Sequence, residues 1–216
     1  MTVQAGRQVL VLAKAPNAGQ AKTRLSPPCG AEDAAALAEA ALRDTLAAVE
    51  RTRCSRRVLV LQGKPGAWVP SGFDVIPQRG DGLDERLAAA FDDAGAPSLL
   101  IGMDTPQVSP SMLDDALGHL ERPGIDAVLG RAADGGWWAL GLRRADPRIF
   151  LGVPMSTSRT GLWQEDRLQV LGLRWLALPM LSDVDRFEDA MAVAELIPGS
   201  RFASAVQRVS VSLLVE

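Results

Sequence analysis

The chain has 216 residues, 47% of them hydrophobic, enough to bury one good core, so a single domain over 1–216 is expected. Asp and Glu number 26 against 23 Lys and Arg, a formal net charge of −3, which leaves no broad positive field for a nucleic-acid backbone or an anionic membrane surface. Two cysteines, Cys29 and Cys54, lack metal-ligand spacing, and the single histidine, His119, cannot complete a zinc site with them on ordinary grounds.

A Cys29–Cys54 disulfide is the weaker alternative to two free thiols. Met1 to Arg7 lacks an apolar leader core and no run reaches the length of a bilayer span, so a cytoplasmic protein is expected.

In chain order, the apolar run Val9–Leu12 predicts a first strand, and Pro27-Pro28-Cys29-Gly30 breaks the chain before a long helix. In that helix Ala34, Leu37, Ala38, Ala41, Leu42, Thr45, Leu46 and Val49 recur at three- and four-residue intervals, one stripe to lay on a sheet. Val58–Leu61 is continuously apolar, as a strand covered on both faces should be. Strand, helix, strand implies a parallel crossover. A loop around Trp68 and a short strand, Phe73–Ile76, lead through the turn Gln78–Gly82 to a helix that starts at Leu83 and ends before Gly95.

Ser98–Gly102 is the strongest central strand, and it delivers Met103-Asp104-Thr105-Pro106 into a loop. Ser109 before Pro110 marks the next helix start, with Met112, Leu113, Ala116, Leu117 and Leu120 as its buried stripe and His119 packing or facing solvent near its end. Asp126–Gly130 and Trp137–Leu142 are strands separated by an acidic, glycine-containing turn, either a hairpin or a change of direction; one reversed strand in a mixed sheet is the preferred arrangement.

Pro147–Pro154 is irregular, the polar loop Met155–Gly161 opens a helix running to Val170, and Arg174–Leu178 is a further strand. After Leu181 the chain enters a helix reaching Ile197, with Asp185 and Glu188 at capping-pair spacing. Val209–Val215 reads as a strand or as an apolar end that seeks a partner chain, which would make a homo-oligomer.

The chemistry concentrates on Ala13–Leu25. Lys14 and Lys22 are mobile point charges and Arg24 a rigid fork, a set matched to a di- or triphosphate, while Pro16 and Gly19 let the backbone bend around it. Neither Gly-x-x-x-x-Gly-Lys-Ser/Thr nor Gly-x-Gly-x-x-Gly is present, so an ordinary solvated turn is the competing reading until acidic partners are found. Asp104, Asp134, Asp183 and Asp185 all follow apolar runs, and in an open α/β sheet ligands collect outside the carboxyl ends of strands.

Converging carboxylates repel, and a divalent ion, Mg2+ or Mn2+, resolves the conflict. Each aspartate also has a plain structural role available: Asp104 and Asp134 in turns, Asp185 as a helix cap.

These residues carry a resemblance. Ala13-Lys14-Ala15-Pro16 through Gly19, Lys22-Thr23-Arg24-Leu25, Gly102-Met103-Asp104-Thr105-Pro106, Leu129-Gly130, Asp134-Gly135-Gly136-Trp137, Ser156-Thr157 and Asp183-Val184-Asp185 stand in the order found in the radical-SAM/selenodomain-associated transferase 1 family. That family belongs to the nucleotide-diphospho-sugar transferase superfamily. The resemblance implies a single-domain, Rossmann-like α/β three-layer sandwich with a mostly parallel mixed sheet.

It also implies nucleotide-holding groups at Lys14, Gly19, Lys22, Thr23 and Arg24, metal ligands at Asp104 with Asp183 or Asp185, and reacting-centre roles for Asp134, Asp104 and Lys22; Arg131 as an added phosphate-binding charge and Trp137 as a stacking face are expected to join the nucleotide-holding groups although both depart from the family pattern. Trp68, Met155 and Arg159 would join Arg131 and Trp137 in selecting the substrates. Arg131, Met155, Arg186-Phe187 and Trp137-Trp138 depart from the family pattern, and core packing is expected for at least one of the two tryptophans.

The expected activity is metal-dependent glycosyl transfer from a nucleoside-diphosphate sugar to a small acceptor. The alternative is nucleotidyl transfer from a nucleoside triphosphate to a phosphorylated small molecule, because the Lys-Thr-Arg-Leu segment is similar to the Lys-Ser-Arg-Leu of phospholactate guanylyltransferases. A nonenzymatic binding protein on the same fold is the third reading.

Overall fold

A computed structural model describes residues 6–95 and 97–213. The leader reading at Met1–Arg7 and the end of the tail reading at Val209–Val215 lie in part outside the described residues.

The strands are β1 (Gln8–Lys14), β2 (Arg56–Gln62), β3 (Asp74–Pro77), β4 (Ser98–Gly102), β5 (Ala127–Ala132), β6 (Trp137–Leu142) and β7 (Trp175–Leu181). The helices are α1 (Ala31–Glu50), α2 (Leu83–Ala94), α3 (Pro110–Glu121), α4 (Thr160–Val170), α5 (Phe187–Leu196) and α6 (Arg201–Leu213). Their order in the sheet is β3-β2-β1-β4-β6-β5-β7. β6 alone runs against its neighbours β4 and β5; the other pairings are parallel. The reversal and the hairpin are therefore one feature, since β5 and β6 are joined by the Asp134 turn.

Side-chain alternation along the inner strands builds two cores. Val9, Val11, Leu59, Leu99 and Ile101 face α1 and α3, with Leu42, Leu46, Leu113 and Leu117 packed on them. Leu10, Val58, Val60, Leu100 and Leu140 face the other way, against Leu87 and Phe91 of α2 and Leu168 of α4. All eight predicted stripe positions of α1 are buried.

A third cluster lies behind α1, where Leu37 and Ala41 meet Phe187, Val193, Phe202 and Val206 of α5 and α6. It adds a helical layer to the sandwich and anchors Leu25, the last residue of the basic loop.

Three expectations need correction. The tail is a helix: Phe202, Ala205, Val206 and Val209 are buried at helical spacing, Ser200 caps the start by accepting from Ala203 N–H at 2.9 Å, and Asp44 of α1 accepts from Phe202 N–H at 2.8 Å. The local valine–serine alternation near Val209 misled because the stripe upstream outweighs it.

At α5 the cap is displaced by one residue. Asp189 reaches back to accept from Arg186 N–H at 2.7 Å and from Asp185 N–H at 3.2 Å, so the Asp185 carboxylate is not occupied as a cap. Finally, β5 and β7 run past Gly130 and Leu178 to Ala132 and Leu181, with a register irregularity at Gly130/Arg131. Both cysteines are free.

Candidate active site at the carboxyl ends of β1, β4 and β7

Register sets the site. Leu12 of β1 is paired with Gly102 of β4, so the basic loop leaving Lys14 lies beside Met103 and Asp104 as they leave β4. This is the point at which the chain winds off to either side of the sheet, where open α/β sheets form a crevice.

The loop is turned back on itself: Gln20 and Ala21 N–H donate to Asn17 carbonyl at 3.1 Å each. Lys22 has φ 51°, the left-handed region that a side chain rarely occupies, a local cost of order 1 kcal/mol that packing must hold in place. Thr23–Leu25 then forms one tight helical turn whose buried Leu25 pins the loop to the third core.

From that conformation Lys22 Nζ reaches Asp104 Oδ1 at 2.6 Å and donates to the Val184 carbonyl. Its side chain is only 9% exposed. Val184 N–H donates to the Asp104 carbonyl at 2.9 Å, tying the loop after β7 to the loop after β4. Arg24 Nη1 lies 2.8 Å from Asp185 Oδ2. Two ion pairs thus join the basic loop to the acidic rim that the sequence reading required of it.

Two cavities meet there. The smaller, about 250 Å³, is lined by Lys14, Gln20, Lys22, Thr23 and Arg24 on one side and Asp104 and Asp185 on the other. The larger, about 590 Å³, shares Arg24, Met103, Asp104 and Asp185 with the first and extends past Asp183 to Asp134, Gly136 and Trp137. Its floor is apolar, with Leu12, Leu83, Leu87 and Leu100. The loop before α4 lines it too, through Met155, Ser156, Thr157, Ser158 and Thr160.

Asp183 is the most strained charge. Its Oδ1 is buried without a hydrogen-bond partner, and burial, then the charges of Asp104 and Asp134, push its carboxyl up to about 7. A cation would relieve it. Among the described residues no three His, Cys, Asp or Glu side chains already form a cage, so an ion held by Asp183 and Asp104 would take its remaining ligands from water and substrate phosphates. Mg2+ is ordinarily held in that way, and an orphaned carboxylate oxygen beside a second carboxylate fits it.

The placement of the predicted residues is uneven. Lys14, Lys22, Thr23, Arg24, Asp104, Asp185, Asp183, Asp134, Trp137 and Met155 line one cavity or both. Gly19 does not; it is an exposed loop tip at φ 72°. Arg131 does not line them either, because its guanidinium packs under Gly161 and pairs with Glu165 of α4 at 3.1 Å. Arg159 lies over the Trp163 ring at 5.5 Å, and Trp68 packs against the α1-side core.

Trp138 is the core tryptophan, its Nε1 donating to Pro179 carbonyl at 2.9 Å. Asp134 keeps a turn role as well, since its Oδ1 accepts from Gly136 N–H at 2.7 Å. The four floor leucines were missed: in sequence each belongs to an ordinary strand or helix stripe. Arg186, noted only as a departure from the family pattern, lines the larger cavity.

Residues 33–157 match the family described as Uncharacterized protein conserved in bacteria (DUF2064). The chain belongs to that family. Phosphoenolpyruvate guanylyltransferase of Conexibacter woesei is 32% identical over 207 residues, covering 87% of this chain and 88% of the relative.

Among solved structures, a protein assigned as a nucleotide-diphospho-sugar transferase from Desulfovibrio desulfuricans G20 superposes with TM-score 0.85 at 24% identity over 97% of both chains. A cytidylyltransferase from Leptospira borgpetersenii superposes with TM-score 0.58 at 11% identity over 97% of this chain and 95% of its own. The DUF2064 chain therefore has the Rossmann-like fold of nucleotidyl and sugar-nucleotide transferases. The finer subfamily named by motif resemblance rests on the motifs alone.

Proposed function

We propose that the protein is a nucleotidyltransferase that joins a nucleoside triphosphate to a phosphorylated small molecule and releases pyrophosphate. The observation that supports it best is the seam between the cavities, where three cations of one loop, Lys14, Lys22 and Arg24, face Asp104, Asp183 and Asp185. Motif resemblance put glycosyl transfer first; the guanylyltransferase relative, aligned along most of both chains, favours the reverse order and suggests guanine as the base.

In this reading an acceptor phosphate oxygen forms a bond to the α-phosphorus, and the bond from that phosphorus to the bridging oxygen breaks, with the electron pair leaving on pyrophosphate. Lys14, Lys22 and Arg24 hold the β- and γ-phosphates and meet the charge that grows on the leaving group. Asp104 and Asp183 would hold Mg2+ or Mn2+, which supplies Lewis-acid stabilisation of the same charge. Asp185 positions Arg24. Asp134, with one oxygen fixed by Gly136 N–H, orients the acceptor with the other.

Glycosyl transfer is the second reading, favoured by the extent of the Desulfovibrio desulfuricans superposition. Labelled GTP, CTP, UTP and ATP incubated with Mg2+ and a panel of phosphate monoesters separate the two. Pyrophosphate release dependent on acceptor supports nucleotidyl transfer. Nucleoside diphosphate from GDP- or UDP-sugars, with no pyrophosphate from any triphosphate, would replace it with glycosyl transfer.

A further inference from the structure

The cations of the seam divide between its two cavities. Lys14 and Lys22 line the smaller one, Arg24 lines both, and Arg186 lines only the larger. The larger cavity also has Asp104, Asp134, Asp183 and Asp185 in its lining, four carboxylates against two guanidinium groups. An anion entering it is opposed by its surroundings unless one of those cations is uncommitted.

Arg24 is committed. Its Nη1 lies 2.8 Å from Asp185 Oδ2, just as Lys22 of the smaller cavity is held by Asp104 at 2.6 Å. The Arg186 guanidinium has neither an ion pair nor a hydrogen bond among the described residues. The nearby acid that could have taken it, Asp189, is occupied with backbone, accepting from Arg186 N–H at 2.7 Å and from Asp185 N–H at 3.2 Å.

The chain beneath that side chain is fixed on both sides. Val184 N–H donates to the Asp104 carbonyl at 2.9 Å, Phe187 is buried, and Ala190 N–H donates to the Arg186 carbonyl at 3.0 Å. An exposed guanidinium on a fixed root is presented to a ligand and not to the fold.

Nucleotidyl transfer needs such a group, because it brings two anions into contact. Lys14, Lys22 and Arg24 serve the triphosphate, and the acceptor phosphate must approach the α-phosphorus with charge compensation of its own. Resting on the nucleotidyl-transfer reading, we propose that Arg186 binds the acceptor phosphate. Its fork takes two non-bridging oxygens of a phosphate monoester in the larger cavity and leaves the third to form the bond to the α-phosphorus.

This makes Arg186 the residue that selects phosphate esters over the corresponding alcohols, whatever else the acceptor carries. The motif resemblance does not supply the role, since Arg186 stands at a position where the chain departs from the family pattern.

The test has two arms on the full chain with Mg2+, using the unaltered protein, Arg186→Gln and Arg186→Lys. Calorimetry with a non-hydrolysable GTP analogue already bound measures the affinity for phosphoenolpyruvate, glycerol 3-phosphate and inorganic phosphate. Pyrophosphate release with GTP measures kcat and KM separately for the two esters and for glycerol.

Arg186→Gln should weaken every phosphate ligand and raise the KM of the active ester by about ten- to a hundredfold, the size of a charge-assisted contact. Affinity for the GTP analogue and the melting temperature should stay unchanged, because the side chain holds nothing in the fold. Arg186→Lys, which keeps the charge and loses the fork, should fall between the two.

Unchanged phosphate affinity and ester KM in Arg186→Gln overturn the proposal and leave nucleotidyl transfer standing. A loss confined to the GTP analogue assigns Arg186 to the nucleotide and also overturns it, as does the absence of binding by every phosphate ligand. Phosphate binding that depends on Arg186, without pyrophosphate release, upholds the anion site and defeats nucleotidyl transfer.

Discussion

Lys22 is the residue on which the two halves of the site meet, because its nearly buried ammonium touches both the carboxylate at the end of β4 and the carbonyl chain that leads out of β7. Replacing it with methionine keeps most of the volume. Asp104 is 44% exposed, so losing its partner should change unfolding free energy by no more than about 1 kcal/mol. Under nucleotidyl transfer, activity should fall about 100-fold or more, because Lys22 would meet the charge growing on the departing pyrophosphate where its own side chain is nearly buried. Steady-state kinetics and urea unfolding on the same preparation check both halves.

Asp183 gives the opposite trade. Its folded carboxyl titrates near 7 against an unfolded value of about 4, so the native state binds the extra proton between those limits. Stability from this group is therefore greatest below pH 4, declines as pH rises to 7 and stays at its minimum above. In metal-free buffer Asp183→Asn should stabilise the protein by on the order of 2 kcal/mol at pH 8, with the gain shrinking toward pH 4. Added Mg2+ should then stabilise the unaltered protein and not the variant, a comparison that thermal melts provide.

The convergence of the basic loop and the late aspartates on one crevice was readable in advance at the level of residue type. Two lysines and an arginine after a strand call for an anion, and aspartates after later strands call for a shared cation. Which late aspartate is ion-paired was not readable: Asp183 and Asp185 differ by two positions, and it is Asp185 that Arg24 reaches. Arg131 was misplaced for a similar reason, since nothing in its neighbourhood announces that Glu165, 34 positions on, will hold it.

At the scale of elements, the β5–β6 hairpin does more than close the sheet. Its turn places Asp134 at the cavity, and the turn is pressed against the loop before α4: Gly161 N–H donates to the Gly135 carbonyl at 2.9 Å, and a methyl group on Gly135 would collide with the Ser158 carbonyl. Gly135 also sits at φ 93°, where a side chain is strained whatever the space.

Gly135→Ala should cost about 1–3 kcal/mol and displace the loop before α4. A fall of several degrees in melting temperature with a raised acceptor KM and an unchanged affinity for GTP is the expected result. Strand and helix periods located these elements well, because β1, β2 and β4 are buried on both faces and α1 has one clean stripe. The tail failed because a short alternating stretch can serve either period, and only docking on α1 and α5 chooses.

For the molecule as a whole, a modest negative net charge is combined with a local basic loop, and both cavities lie at the ends of strands β1, β4 and β7. No helix among the described residues is long and apolar enough to cross a membrane. The parallel crossover and the reversed strand were legible in the hydrophobic runs and the turn between them; the sheet order and the ion pairs inside the crevice depend on long-range contacts that no local pattern encodes.

The central claim is that this crevice binds a nucleoside triphosphate through the basic loop together with a divalent ion on Asp104 and Asp183. Calorimetric titration of GTP with and without Mg2+, on the unaltered protein and on Asp104→Asn, tests it most directly. The account predicts binding that weakens at least about tenfold without Mg2+ and by a similar factor in the variant, which should no longer respond to the ion. Equal affinity in all four titrations, or none in any, would contradict it.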